Sequence, residues 1–248
     1  MSANLHSWPE GVGRIVLPQT DSTMKEAARV AASSPFSQWI LALDQTAGHG
    51  RRGRPWTMPK GNFAATLVSF PDEPPQQVAL RSFVAALALF DAVATVTGRA
   101  DLMALKWPND VLLNGGKFAG ILLERSANHL SVGIGANLAA APIAANVEPS
   151  PFPPVSLVGE AGILVTPEDF LNALAPAYAH WETQLMTYGF DPIRTAWLAR
   201  AAKLGEPIRA RTTTAEHHGT FETIDDQGNL VLRQSQGALS IPAAEVFF

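Results

Sequence analysis

The chain has 248 residues, 47% of them hydrophobic, with a formal net charge of −4; that is enough to bury a substantial core, as one large domain or one plus a small one. The acidic balance gives no general basic surface and argues against bulk nucleic-acid binding. The absence of cysteine excludes disulfides, thiol nucleophiles and cysteine-held metals, and it fits a cytoplasmic location.

Residues 1–14, MSANLHSWPEGVGR, contain no apolar core of signal-peptide length and no basic start, so export is not expected. Thr23 and Glu26 have the spacing of a capping box ahead of a helical run over residues 24–32. Asp21, Ser22 and Thr23 then stand at a helix start, which can receive an anion or a polar head group; an ordinary cap has the same pattern. Residues 39–44 and 63–70 read as strands and residues 76–97 as a long, mostly apolar helix. Its most apolar part, residues 84–96, is too short to span a bilayer and carries Asp91, so it predicts a buried core helix and no membrane segment.

Apolar runs at residues 111–113 and 118–123 flank Asn114-Gly115-Gly116, which predicts a β-hairpin with Lys117 at the start of its second strand. Residues 130–134 read as another strand, ending in Gly135, Ala136 and Asn137. The Ala, Pro and Ser enrichment of residues 139–155 predicts a long loop, of a length that is often functional. Thr166, Pro167 and Asp169 open a helix that runs to about Met186, and a second helix covers residues 192–202. After Leu204-Gly205 the pattern changes to short strand-like runs at 207–213, 219–224, 230–234 and 238–241, which predict a small β-barrel.

The most informative segment is residues 45–56, QTAGHGRRGRPW. Glycines let backbone amides approach a phosphate or carboxylate, and Arg51, Arg52 and Arg54 add planar, permanently charged forks for oxyanions. A solvated, flexible Gly-Arg loop is the competing reading. Gly48 to Gly53 also fits the G-x-G-x-x-G dinucleotide fingerprint, but that fingerprint opens a helix, whereas Pro55 and Pro59 follow here and then a strand. A second unusual segment, Lys106 to Asp110, reads KWPND, and residues 117–124 after the hairpin turn read KFAGILLE. The chemistry that fits is activation of a carboxylic acid against the α-phosphate of ATP, with Lys117 and Arg51 screening the two anions. The alternative for Lys117 alone is an ordinary surface lysine.

Together with VGIGANL at 132–138 and DSTMKE at 21–26, these segments resemble the biotin protein ligase family, also called biotin–acetyl-CoA-carboxylase ligases, over nearly the whole chain. The resemblance implies an α/β (α+β) fold. A mixed-sheet, class II synthetase-like catalytic domain would span residues 1–204, and a small SH3-like β-barrel residues 205–248. It implies a ligase that makes biotinyl-5′-AMP from biotin and ATP and transfers biotin to a lysine of the biotin carboxyl carrier protein. It further implies Lys117 and Arg51 as catalytic residues. Biotin would be bound by Ser22, Thr23, Met24, Gln45, Gly48, His49, Gly50, Arg51, Lys117 and Gly120; ATP and the adenylate by Arg51, Arg54, Trp56, Asn109, Asn137 and Lys117. Asp110 is the candidate for Mg2+, which would arrive with the nucleotide, because the six histidines show no ligand spacing.

Three positions depart from the family pattern. His49 stands where the loop usually has its first arginine, Met24 replaces an asparagine after Ser-Thr, and Ile241-Pro242-Ala243 offers no arginine near the nucleotide. Because the Ser-Thr segment arrives at Ser22, there is no room for the N-terminal DNA-binding domain of bifunctional relatives, and no operator binding is expected. Relatives often form homodimers through the edge of the sheet, and the apolar strands here permit that without demanding it. A lipoate or octanoyl ligase is the enzyme alternative, and a non-catalytic anion-binding module would leave Lys117 without a role.

Overall fold

A computed structural model describes residues 7–126, 128–143 and 152–248. Two sheets organise the chain. The larger takes seven strands: β1 (Gly13–Leu17), β2 (Gln38–Ala42), β3 (Phe63–Ser69), β4 (Met103–Lys106), β5 (Asp110–Leu113), β6 (Gly116–Arg125) and β7 (Leu130–Ala136). Their order is β1-β2-β3-β7-β6-β5-β4, with β1 and β2 parallel and every other neighbouring pair antiparallel. This is the mixed sheet that the sequence predicts, with β1 and β4 added at its two edges. Both added strands are five residues or fewer, too short to show a clear alternation of apolar and polar side chains.

Helix α1 (Thr23–Ala31) lies on one face of the sheet, where Ala27 and Ala31 pack with Ile40 and Val68. The opposite face carries α3 (Arg81–Thr97) and α5 (Pro167–Tyr188). Covered on both sides, β3 has no polar face, and six of its seven residues are buried. Trp39 meets Tyr178 edge-on at 5.7 Å and Phe63 meets Phe170 at 5.1 Å, which fixes α5 to the sheet. Each such fully buried side chain contributes about 1.5–3 kcal/mol by leaving water.

The expected helix over 76–97 is two helices, α2 (Pro75–Ala79) and α3, separated by Leu80. The stretch is long and apolar enough to cross a membrane, but 72% of its most apolar window is buried within the protein. Thr166 caps α5 by accepting from the Asp169 amide, as its sequence suggests. The shorter α4 (Leu157–Ala161) was not anticipated, and α6 (Phe190–Leu198) begins and ends earlier than expected. Much of the predicted loop over 139–155 lies outside the described residues.

The capping box at Thr23 and Glu26 does not form. Ser22 is the N-cap and makes no side-chain cap bond, while the Thr23 hydroxyl turns to Gln45 and Thr66 and Glu26 pairs with Arg29. The hairpin turn does form as expected: Asn114 and Gly115 both have positive φ (47° and 78°), as a two-residue turn between twisted strands requires.

Beyond Gly205 the chain builds a five-stranded antiparallel sheet of β8 (Pro207–Arg211), β9 (Glu216–Ile224), β10 (Leu230–Gln234), β11 (Gly237–Ile241) and β12 (Glu245–Phe247), in the order β11-β10-β9-β8-β12. The last strand carried no sequence signal, being three residues long. The Trp107 indole donates to the Gly228 carbonyl at 3.0 Å, and Arg194 pairs with Asp226, so the smaller sheet is tied to the larger part of the chain.

Candidate active site

Backbone bonds fold residues 45–56 back on themselves. Trp56 donates to the Gly48 carbonyl at 2.9 Å and Gly50 to the Arg54 carbonyl at 2.8 Å, around a tight turn at Arg51–Gly53. The loop is therefore shaped, and the tip uses positive φ at Arg52 and Gly53. Its last residue, Trp56, rests on the sheet: a Cβ at Gly135 would run into the indole, and one at Gly120, its partner across β6 and β7, would just touch it. Met24 occupies the equivalent space over Gly133. Small residues on two adjacent strands thus form a floor on which larger side chains rest.

Loop, floor and the end of the smaller sheet enclose a cavity of about 530 Å³. Ser22, Thr23, Met24, Gln45, His49, Gly50, Arg51, Arg54, Trp56, Asn109, Asp110, Lys117, Gly120 and Asn137 all line it. Of the sequence-selected residues only Gly48 does not. It sits behind Gln45, whose amide fills the space a Cβ would need, so Gly48 acts through Gln45.

One end of the cavity is neutral and hydrogen-bonded. The Gln45 carbonyl oxygen accepts from the Thr23 amide at 2.9 Å and from the Thr23 hydroxyl at 3.2 Å, and the Thr66 hydroxyl donates to the Thr23 oxygen at 2.8 Å. The Ser22 hydroxyl is buried with no hydrogen-bond partner among the described residues. Burying a hydroxyl without a hydrogen bond is costly, so this group is poised for one from a ligand.

The other end is charged. Asp110 stands between two lysines, 2.7 Å from Lys117 Nζ and 3.2 Å from Lys106 Nζ. Burial pushes the Asp110 carboxyl up, but the two ammonium groups outweigh it and hold it below the usual carboxylate range. Lys106, also over the Phe152 ring at 4.8 Å, is drawn below the ordinary lysine value by burial. Arg51 is drawn down by burial as well, yet an arginine stays charged. It donates to Asn109 Oδ1 at 3.2 Å, and Asn109 in turn donates to the Ile121 carbonyl at 2.7 Å. Three cations face one carboxylate here, an arrangement that attracts an oxyanion.

These groups do not compose a magnesium site of the protein's own. Both Asp110 oxygens face ammonium groups, and among the described residues no three His, Asp or Glu side chains come together. Divalent cations of this kind are held by one or two carboxylates plus substrate phosphates, and the lysines already occupy this carboxylate.

His49 lines the cavity, but its Nε2 is 3.2 Å from Glu124 Oε1 on β6, so the imidazole is held by a protein carboxylate. Arg54 reaches Glu245 of β12 at 3.5 Å, and Glu245 also takes Arg211 at 3.0 Å. Lys106, Asn62, Thr66 and Glu245 were not selected from the sequence. Lys106 was visible in the KWPND motif. Asn62, which donates to Asn137 Oδ1 at 3.2 Å and binds the backbone of Ala139 and Ala140, gave no pattern-level signal beyond its place before a strand.

Residues 16–137 match the biotin/lipoate A/B protein ligase family, and residues 203–248 match the biotin protein ligase C-terminal domain. A biotin–[acetyl-CoA-carboxylase] ligase of Paracoccus denitrificans is 60% identical over 94% of this chain and 99% of its own length. The bifunctional ligase/repressor BirA of Bacillus subtilis is 32% identical over 93% of this chain and 71% of its own. In fold, the chain is similar to the biotin protein ligase from Aquifex aeolicus solved in complex with biotin and ATP, with a TM-score of 0.84 at 22% identity, covering 95% of this chain and 98% of that one. The chain belongs to the biotin protein ligase family.

Proposed function

We propose that the protein is an ATP-dependent biotin–[biotin carboxyl carrier protein] ligase that works in the cytoplasm, with residues 1–204 as catalytic domain and residues 205–248 as an SH3-like domain. The observation that carries this reading is the division of the cavity into a neutral polar end and a cationic end. Biotin has a matching division, with a polar ureido head and a carboxylate tail. Lipoate and octanoate also end in a carboxylate, but their apolar heads have no use for the Ser22, Thr23 and Gln45 groups.

In this reading Ser22, Thr23 and Gln45 take the ureido group, and Met24, Gly120 and the loop from His49 to Arg51 enclose the rings and chain. The carboxylate then points toward Lys117 and Arg51. One carboxylate oxygen attacks the α-phosphorus of ATP, the bond to the bridging oxygen breaks, and pyrophosphate leaves. Lys117 and Arg51 stabilise the charge that builds on the reacting oxygens. Arg54, Asn109 and Trp56 hold the nucleotide side, and Asn137, whose Oδ1 is engaged by Asn62, offers its amide protons to the adenine. Mg2+ arrives on the phosphates. In the second step the amine of the carrier lysine attacks the acyl carbon of biotinyl-5′-AMP, AMP departs and the amine proton is lost.

Pyrophosphate release with ATP and biotin, lipoate or octanoate tests the reading. Release with biotin alone is expected, and release with lipoate or octanoate in its place would overturn it.

A further inference from the structure

Thr66 belongs to no motif and does not line the cavity, yet it is fully buried on β3 with its hydroxyl 2.8 Å from that of Thr23. The order of protons in this chain of bonds is fixed by its far end. Gln45 Oε1 accepts from the Thr23 amide, so the Gln45 side chain presents oxygen and not nitrogen to Thr23. An amide oxygen cannot donate, so the Thr23 hydroxyl donates to Gln45. The Thr23 oxygen must then accept from Thr66. Of the two lone pairs on Thr23, one is taken by Thr66 and the other remains for the cavity.

We propose that Thr66 is a positioning residue for the neutral end: Gln45 commits the Thr23 proton and Thr66 occupies one of its lone pairs, so Thr23 presents a single, directed lone pair to the ligand, while Ser22 supplies a donor. This complements a ligand head that offers an N–H beside a carbonyl oxygen, and it rejects one that offers a donor where the carbonyl oxygen belongs. The proposal rests on the reading of this end as the head-group site. Without Thr66, the Thr23 hydroxyl still donates to Gln45 but gains a second lone pair without a donor among the described residues, so the lone pair aimed at the ligand is no longer singled out.

The test compares calorimetric titrations of biotin and 2-iminobiotin, in which an imine nitrogen replaces the ureido oxygen, into wild type, Thr66→Val and Thr66→Ser. Valine keeps the volume and removes the hydroxyl; serine keeps the hydroxyl. We expect Thr66→Val to weaken biotin about 5- to 20-fold, from the loss of a buried bond. Because 2-iminobiotin keeps the ring N–H that Thr23 faces, its binding should weaken by a similar factor. The maximal rate of pyrophosphate release at saturating biotin should stay within about twofold, since Thr66 does not reach the reacting atoms. Thr66→Ser should bind both ligands as wild type does. A Thr66→Val protein with wild-type affinity for both ligands would overturn the proposal, as would equal loss in Thr66→Ser and Thr66→Val. If valine prevents folding, Thr66→Ala and Thr66→Ser carry the same comparison. Failure of wild type to bind biotin would instead overturn the head-group reading itself.

Discussion

The two ends of the cavity are built on opposite principles. At one end Thr23, Gln45 and Thr66 are neutral and bonded to one another beside the buried Ser22 hydroxyl, so geometry is set before any ligand arrives. At Lys106, Lys117 and Arg51 the groups are charged and gathered around a single carboxylate, Asp110, leaving an excess of positive charge. The first arrangement suits recognition of shape and donor pattern. The second suits charge that appears during a reaction, where preorganised cations act most strongly in a site from which water is excluded. On the proposed reading, specificity and rate are separated in space, and each should be alterable without the other.

The largest test of that separation is Lys117→Ala. It removes the half-exposed ammonium at the cationic end, and biotin-dependent pyrophosphate release should fall at least about a thousandfold while the fold persists. A rate within a few-fold of wild type would break the assignment. Asp110→Asn comes next, and its effect is on stability. Asp110 is held below the usual carboxylate range, so its contribution is present above about pH 3.9 and is lost as pH falls through its lower folded value. Removing one partner from a buried ionic cluster costs about 3 kcal/mol. Urea denaturation near neutral pH should show that loss, and the gap between variant and wild type should close on acidification. A gap unchanged at low pH would mean that Asp110 stabilises by packing alone.

Arg51→Gly sharpens the comparison at the loop. Losing a charge-assisted bond worth about 1.5–3 kcal/mol should let the adenylate escape, and bystander proteins mixed with the variant, biotin and ATP should be labelled on lysine. Retention of the adenylate at the wild-type rate contradicts the role. The smallest effect belongs to His49. Its partner Glu124 is half exposed, and an ion pair of that kind is worth about 0–1 kcal/mol. Glu124→Gln should therefore weaken biotin no more than about fivefold. Calorimetric titration of biotin into both proteins reads this, and a loss well beyond fivefold would mean that Glu124 does more than hold the imidazole.

Much of the site was legible because its signals are local. Asn114-Gly115 encodes a turn, the turn places Lys117, and the Gly-Arg run announces an anion loop before any fold is known. What escaped depends on pairing across long stretches of chain. Thr66 matters because β3 passes beneath α1, and Glu245 because β12 returns beside the loop 191 residues away from Arg54. The helix start at Ser22 shows the same limit from the other side. Its sequence satisfies a capping box, but Gln45 and Thr66 compete successfully for the Thr23 hydroxyl, and tertiary bonding overrides the local pattern.

The direct test of the divided cavity is a titration of biotin and of biotinol, which keeps the ureido head and replaces the carboxylate with an alcohol, into wild type and Lys117→Ala. If the head lies at Thr23 and the tail at Lys117, the substitution weakens biotin about tenfold or more, as loss of a charged partner should, and leaves biotinol unchanged. Equal weakening of both ligands would contradict the orientation and with it the separation of recognition from catalysis.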